Sequence, residues 1–455
     1  MKQKILLIIA VTFFILIGGV YIFIPLKKKV ENTETLTLQQ KEVKKTETLT
    51  PQQKEAREWL KKAQELHDKE YDKFEKHLAG PVNKRLKEIE KFKISTNTAI
   101  QMIKYCTKAI ELDPNYVEAY CLRGTCYAEI GNFDRATKDL NKAIELNPVK
   151  GYYTYGYIYG RKGDYEQAIK AYTKALEANP KGTVVYYSRG NLYSERGDYE
   201  RAIEDFNKAI KLNPNYAEIY YLRGNIYEKR GDYEQAIEDF TKAIKLNPNY
   251  AEIYYLRGSI YEKRGDYERA IEDFTNAIKL NPNYAEAYCS RGGVYWERGN
   301  YEQAIEDLTK AIKLNPNDAK AYYFRGGVYV ERGNYEQAIE DLTKAIKLNP
   351  NDADAYYLRG SIYAERGNYE RAIEDFTKAI ELNPNEAITY CFRGLTYKYL
   401  KKMPATACDD FYQAGILYLK QNKRKEALEC VDLLKQTDPS SPLIKKLMNK
   451  IYEQK

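Results

Sequence analysis

The chain has 455 residues and a formal charge of +8, but only two histidines, His67 and His77, so histidine-based nucleophilic or metal chemistry is excluded from everything beyond residue 77. The basic excess sits at the ends: residues 1–116 carry +7, residues 117–386 carry −5 and residues 387–455 carry +6. A nucleic-acid surface needs positive charge along its contact, so the acidic middle disfavours that function.

Taken in order, the first predicted element is Ile5 to Ile24, an uncharged run of Ile, Leu, Val and Phe with a few small residues. A helix of about 20 residues spans roughly 30 Å, the thickness of a bilayer core. Residues 1–26 therefore read as a single-pass transmembrane anchor. A cleaved signal peptide is the alternative, disfavoured by the length of the run and the lack of an A-x-A site. Lys2 and Lys4 precede the run and Lys27, Lys28 and Lys29 follow it. This charge balance favours a cytosolic array. The short N-terminal tail favours export, and the reading leans to the extracytoplasmic side. Residues 27–51 form a polar linker of Lys, Glu, Thr and Gln.

From Gln52 the pattern turns helical, with Trp59, Ala63 and Leu66 on one face, followed by Phe74 and Leu78 before Gly80-Pro81. Asn97–Leu112 is a further predicted helix. Together residues 52–116 read as degenerate helical repeats. The regular text begins at Val117. Asn-Pro or Asp-Pro recurs at Pro114, Pro148, Pro180, Pro214, Pro248, Pro282, Pro316, Pro350 and Pro384. The step is 34 residues, except for 32 between Pro148 and Pro180. A fixed period of this length marks stacked helical repeats.

Within Ala217–Tyr250, Tyr220, Gly224 and Tyr227 share one helix face. Gly231 suits the left-handed turn that stops that helix. Asp232 is placed to cap the next, with Gln235 completing a capping box. Ala236, Phe240, Ala243 and Ile244 carry the second apolar stripe, and Asn247-Pro248 ends it. One such helix pair cannot bury both apolar faces, so neighbours must stack. Residues 117–386 hold eight of these units, and residues 387–455 read as a degenerate unit with capping helices at Ala405–Leu419, Lys423–Leu434 and Pro442–Tyr452.

The small residues Gly224, Ala236 and Ala243, the rings of Tyr220, Tyr227 and Phe240, and Pro248 resemble the tetratricopeptide repeat. The resemblance implies an all-α fold, a right-handed superhelical solenoid of helix-turn-helix repeats, whose first helices line a concave face. It also implies that Tyr221, Asn225, Glu228, Lys229 and their equivalents face a ligand. The expected peptide groove is thus Tyr187, Tyr221, Asn225, Tyr255, Cys289, Gly293, Trp296, Tyr323, Gly327, Val330 and Tyr357. Trp296 and Val330 replace carboxylates of earlier units, and Gly293 and Gly327 replace Asn225 and Ser259, so an apolar patch with room beside it is expected there. Drift among recently duplicated units is the competing explanation of that patch.

This chain departs from the family in placing Arg before the first-helix Gly, where Leu is commoner. Arg123, Arg189, Arg223, Arg257, Arg291, Arg325, Arg359 and Arg393 each have an Asp sixteen residues later, the last being Asp409. The unit with Tyr155 instead of Arg has Ala171 instead of Asp. Joint loss points to ion pairs inside a unit, such as Arg223–Asp239 and Arg257–Asp273, rather than to ligand-facing arginines. Most of the seven cysteines fall in predicted helices: Cys106, Cys121, Cys126, Cys289, Cys391 and Cys430. None forms a CxxC pair, and they read as reduced, small apolar residues. No cofactor and no metal is expected.

These features describe a membrane-anchored, non-enzymatic scaffold that binds peptide or helical segments of a protein partner. An assembly or secretion factor of an envelope complex is a narrower alternative. A nucleic-acid-binding helical repeat is the disfavoured one. The anchor has a direct test. The full chain stays with membranes after an alkaline carbonate wash, whereas a truncated chain beginning near Gln52 is soluble. Release of the full chain by the wash would refute the anchor.

Overall fold

The computed structural model of the chain describes residues 49–75, 94–400 and 403–453. The expected anchor, most of the linker, and His77, Leu78, Gly80 and Pro81 lie outside the described residues. Among the described residues no helix is long and apolar enough to cross a membrane. The chain divides into two compact units, Met1–Ile253 and Tyr254–Lys455.

All regular structure among the described residues is helical. Helices α1 (Pro51–Glu75) and α2 (Thr96–Leu112) come first. Eight helix pairs follow: α3 (Val117–Glu129) with α4 (Phe133–Leu146), α5 (Pro148–Lys162) with α6 (Tyr165–Ala178), α7 (Thr183–Glu195) with α8 (Tyr199–Leu212), and α9 (Ala217–Arg230) with α10 (Tyr233–Leu246). Then come α11 (Ala251–Lys263) with α12 (Tyr267–Leu280), α13 (Ala285–Glu297) with α14 (Tyr301–Leu314), α15 (Ala319–Glu331) with α16 (Tyr335–Leu348), and α17 (Ala353–Glu365) with α18 (Tyr369–Leu382). The chain closes with α19 (Ala387–Leu400), α20 (Pro404–Lys420), α21 (Arg424–Thr437) and α22 (Pro442–Glu453).

The local chemistry of the α9–α10 pair shows how a unit is punctuated. Gly231 has φ +81°, the left-handed turn that ends α9. Asp232 stands at the N-cap of α10, but its carboxylate takes Arg230 Nε at 3.0 Å and makes no cap bond, so the expected capping box does not form. Its equivalents Asp164, Asp198 and Asp266 do accept the capping N–H. Asn247 ends α10 in an extended conformation before Pro248, and its side chain accepts the Asn249 N–H at 3.3 Å. Asn suits that place because its amide makes the turn while the following Pro forbids helix.

The two helices of a pair meet over a glycine. A Cβ on Gly224 would stand 2.7 Å from the Phe240 ring, so only glycine admits the ring there. Ala236, Phe240 and Ala243, one stripe of α10, are fully buried. Burying a Phe side chain contributes about 2–3 kcal/mol. Near the N-terminus, Ala63 of α1 is buried against α2, with Trp59 and Leu66 packed on the same core and the Trp59 and Tyr105 rings 5.6 Å apart. At the other end, Phe411, Cys430, Leu434 and Leu447 form one core from α20, α21 and α22.

The recurring arginine pairs as a fork. Nε and Nη2 each donate to one oxygen of the Asp on the unit's second helix, at 2.7 to 2.9 Å in every case. For Arg393 the partner is Asp410, not the expected Asp409. The stretch from Arg393 to the second helix is one residue longer, so Asp410, followed by Phe411, takes the place held by Asp375 and Phe376, while Asp409 is exposed. The pair is also not confined to its unit. Nη1 donates to the second helix of the preceding unit: Thr107 from Arg123, Thr173 from Arg189, Thr275 from Arg291, Thr309 from Arg325, Thr343 from Arg359 and Thr377 from Arg393, at 2.8 to 3.1 Å. Arg223 reaches Asn207 in the same way.

Where the arginine is missing, the slot is open. A cavity of about 280 Å³ is lined by Asn141, Tyr155 and Ala171, the positions of the Thr, Arg and Asp in other units. Tyr155 turns instead to Tyr159, with ring centroids 4.6 Å apart.

Burial raises the carboxyl pKa of Asp239, and the Arg223 hydrogen bonds and charge offset it only in part. The pair therefore holds geometry more than it adds net stability, and its cost shows when one half is removed. Arg223→Leu, which strands the buried Asp239, is expected to destabilise by about 3 kcal/mol. Arg223→Leu with Asp239→Ala is expected to cost less than the sum of the single changes by about 1 kcal/mol or more. Denaturant unfolding of the four proteins measures it, and additivity would dissolve the pairing.

Candidate functional site

The first helices of successive pairs lie side by side: α3 against α5 and α7 against α9 in the first unit, α13 against α15 and α15 against α17 in the second. Side chains at their fifth, ninth and twelfth positions are the expected groove. The fifth position proves to be the joint between first helices. Tyr187 OH donates to Glu218 Oε1 at 3.1 Å, and Tyr221 OH donates to Glu252 Oε1 at 3.1 Å. Tyr153 OH and Ser188 Oγ meet at 3.4 Å. Tyr187 and Tyr221 are accordingly buried, and burial drives both phenol pKa values well above their ordinary range. Their expected place on an open groove is corrected: each crosses to the next helix and forms floor, not surface. Cys289 is likewise buried. Asn225, Tyr255, Tyr323 and Tyr357 are half-buried.

In the second unit the apolar patch exists, but its glycines leave no room beside it. A Cβ on Gly327 would lie 2.4 Å from the Trp296 ring, and one on Gly293 would lie 2.8 Å from the Phe324 ring. Both glycines are buried sockets for a neighbour's ring, which corrects the reading of them as open space. Trp296, Tyr323 and Phe324 form one cluster, with the Trp296 centroid 6.2 Å from Tyr323 and 5.8 Å from Phe324. Lys320 Nζ stands 5.0 Å from the Phe324 centroid. Trp296 and Val330 are half-buried, and Val330 packs on the next core, with Tyr356 and Leu358.

The first unit offers a pocket that the groove positions named above do not include. It holds about 280 Å³ between α3 and α5 and is lined by Thr125, Ala128, Glu129, Phe133, Tyr157, Ile158, Arg161 and Lys162. Thr125 and Ala128 are the equivalents of Asn225 and Glu228, so position in the repeat could have found it. What hides it is that the position varies from unit to unit: Ala128 is short, where two later units carry Glu228 and Glu262 and another carries Trp296. Arg161 Nη2 meets Glu129 Oε1 at 3.4 Å across its mouth, and Lys162 Nζ lies 4.4 Å from the Phe133 centroid.

The buried glutamates also escape a periodicity argument, since Glu at the second helical position reads as a solvated first-turn carboxylate. Glu218 as a residue is half-buried, yet its Oε2 is sealed from water and has no hydrogen-bond partner. Burial raises its pKa to about 7, against a small lowering from the Tyr187 hydroxyl. Among the described residues no cluster of three or more His, Cys, Asp or Glu is arranged to hold a metal ion.

Models of the tetratricopeptide repeat match residues 117–148, 149–181, 171–204, 217–250, 255–319, 289–340 and 325–387, and a TPR repeat model matches 190–231. The chain belongs to the tetratricopeptide repeat family, whose fold is suited to protein–protein interaction and is typical of non-catalytic scaffolds. Among solved structures it is similar to YrrB, described as a TPR protein with an unusual peptide-binding site, at 30% identity over 41% of this chain and 97% of that one, with a TM-score of 0.38. It is similar to a tetratricopeptide repeat protein from Parabacteroides merdae at 25% identity, covering 55% and 98% of the two chains, with a TM-score of 0.42. It also matches the Cut9–Hcn1 assembly of the APC/C at 17% identity, covering 76% and 84%, with a TM-score of 0.44. A curated relative, the UDP-N-acetylglucosamine–peptide N-acetylglucosaminyltransferase of Giardia intestinalis, is 44% identical over 46 residues, 10% of this chain. The match spans 3% of that enzyme's length.

Glu218 makes stability depend on pH with a definite sign. Its folded pKa of about 7 lies above the unfolded value of about 4.5. The folded state therefore binds the extra proton, and the stability this group contributes is full below about pH 4.5 and lost as pH rises through 7. Glu218→Gln is expected to remove that slope and to stabilise the chain at pH 8 by roughly 1–3 kcal/mol. Parallel unfolding curves of the two proteins from pH 5 to 8 would refute it.

Proposed function

We propose that this chain is a membrane-tethered scaffold that captures an extended or helical segment of a partner protein on its first-helix face, with the Trp296 cluster as the anchor point. The observation that carries the reading is the cluster itself: Trp296, Tyr323 and Phe324 on α13 and α15, with Trp296 seated on Gly327 and left half-exposed. Rings already held by packing lose little freedom on binding, which favours affinity. Covering them removes apolar area worth about 25 cal/mol per Å² before ordering costs. The uncharged run Ile5–Ile24 supports the tether. The net charge of −5 over residues 117–386 supports a protein partner over a nucleic acid.

A peptide ligand selected on the full chain from a random library tests this by fluorescence anisotropy. Trp296→Ala is expected to weaken binding about 10- to 100-fold, as a central contact does. Gly327→Ala, which pushes the Trp296 ring out of its socket, is expected to weaken it as well. Glu228→Gln, on an equivalent position of the first unit, is expected to bind like the original chain. Circular dichroism checks that helicity is kept. Equal binding by Trp296→Ala and the original chain would remove the cluster from the site.

A further inference from the structure

The second unit contains a cysteine pair that scaffold function does not use. Cys391 lies on α19, the first helix after the regular repeats, and Cys430 lies on α21, two helices later. Their sulfurs are 3.7 Å apart across 39 residues of chain. This is the contact distance of two sulfur atoms, and a disulfide needs less than about 2 Å of further approach. Cys430 is buried in the core of α20 to α22 beside Val431, Leu434 and Leu447, whereas Cys391 is half-buried at its edge. The two thiols thus differ in access. One can be met from solvent, and the other is held behind it.

Their chemistry differs in the same sense. The contact with the Cys430 thiol lowers the Cys391 pKa below the ordinary thiol value, against burial, and the Tyr418 hydroxyl adds to the lowering. The same contact and burial raise Cys430. Asp410 and Glu429, the nearby carboxylates, act against a thiolate at Cys391 but do not outweigh its hydrogen bonds. An accessible thiol of lowered pKa next to a second thiol is the arrangement of an attacking and a resolving cysteine.

We propose that Cys391 and Cys430 close into a reversible disulfide that ties the C-terminal helices to the last repeat. The oxidant is a low-molecular-weight disulfide. The Cys391 thiolate attacks one of its sulfurs, forming a mixed disulfide and expelling the other half as a thiolate, which takes up a proton. The Cys430 thiol then loses its proton and attacks the Cys391 sulfur, expelling the second half as a thiol. Two cysteine thiols are oxidised and one disulfide is reduced to two thiols. The bond crosses from α19 to α21, so it restrains the separation of the closing helices from the repeat they cover. It is independent of the peptide-binding reading above.

The experiment uses the folded full chain and oxidised glutathione as the probe. After incubation, excess probe is removed, and free thiols are titrated in denaturant and disulfide-linked peptides are mapped by mass spectrometry. The expected result is loss of two of the seven thiols, a Cys391–Cys430 linked peptide, and full recovery with dithiothreitol. Unfolding of the C-terminal helices is expected to shift up by about 3–8 °C on oxidation. Cys430→Ser is expected to stop at a stable glutathione adduct on Cys391, because the resolving thiol is gone. Seven free thiols after incubation would overturn the proposal. So would a linked peptide joining another pair, such as the buried Cys106 and Cys126.

Discussion

A guanidinium shared among three helices sets the geometry on which the repeats depend. Arg223 sits on a first helix, grips Asp239 on its own second helix with two parallel hydrogen bonds, and spends a third on Asn207 of the unit before. A planar fork admits one orientation of its carboxylate, so it fixes both rotation and spacing of the helices it joins. The glycine next to it completes the arrangement. Gly224 lets the Phe240 ring close on the helix backbone, and Asp239 stands immediately before that ring. Polar fork and apolar contact are therefore adjacent on one turn of helix. The unit with Tyr155 and Ala171 shows what happens without the fork, since the rings and an open cavity of about 280 Å³ take its place.

Desolvation keeps this device from being a simple source of stability. Asp239 is only 4% exposed, and its pKa is raised despite a charged partner. Apolar contacts of Ala236, Phe240 and Ala243 supply the favourable free energy, and the ion pair adds a fixed orientation between the helices that carry them. The same division governs the first-helix face. In the first unit Tyr187 and Tyr221 cross to glutamates of the next helix, and in the second unit glycine sockets at Gly293 and Gly327 each seat a neighbour's ring.

Much of this was legible in one dimension. Period, helix pairs and the Arg–Asp pairing follow from spacing, because a 34-residue repeat places every residue in the same surroundings many times. The joint replacement at Tyr155 and Ala171 exposed the pairing without any alignment. Spacing fails where a repeat changes length, as between Arg393 and Asp410, because one added residue moves every later side chain around the helix by about 100°.

Sequence alone thus determined the helix class, the turn glycines, the proline stops and the carboxylate partner of seven of the eight repeat arginines, since each rests on contacts within one repeat or on backbone rules. Tertiary structure decided what depends on the distance between neighbouring repeats. That a tyrosine at the fifth position reaches a glutamate next door, that Gly327 is filled by Trp296, and that two cysteines 39 residues apart touch are properties of how closely helices approach. Helical periodicity states which way a side chain points. It does not state what stands a few ångströms beyond its tip, because that is set by the packing of helices from different parts of the chain.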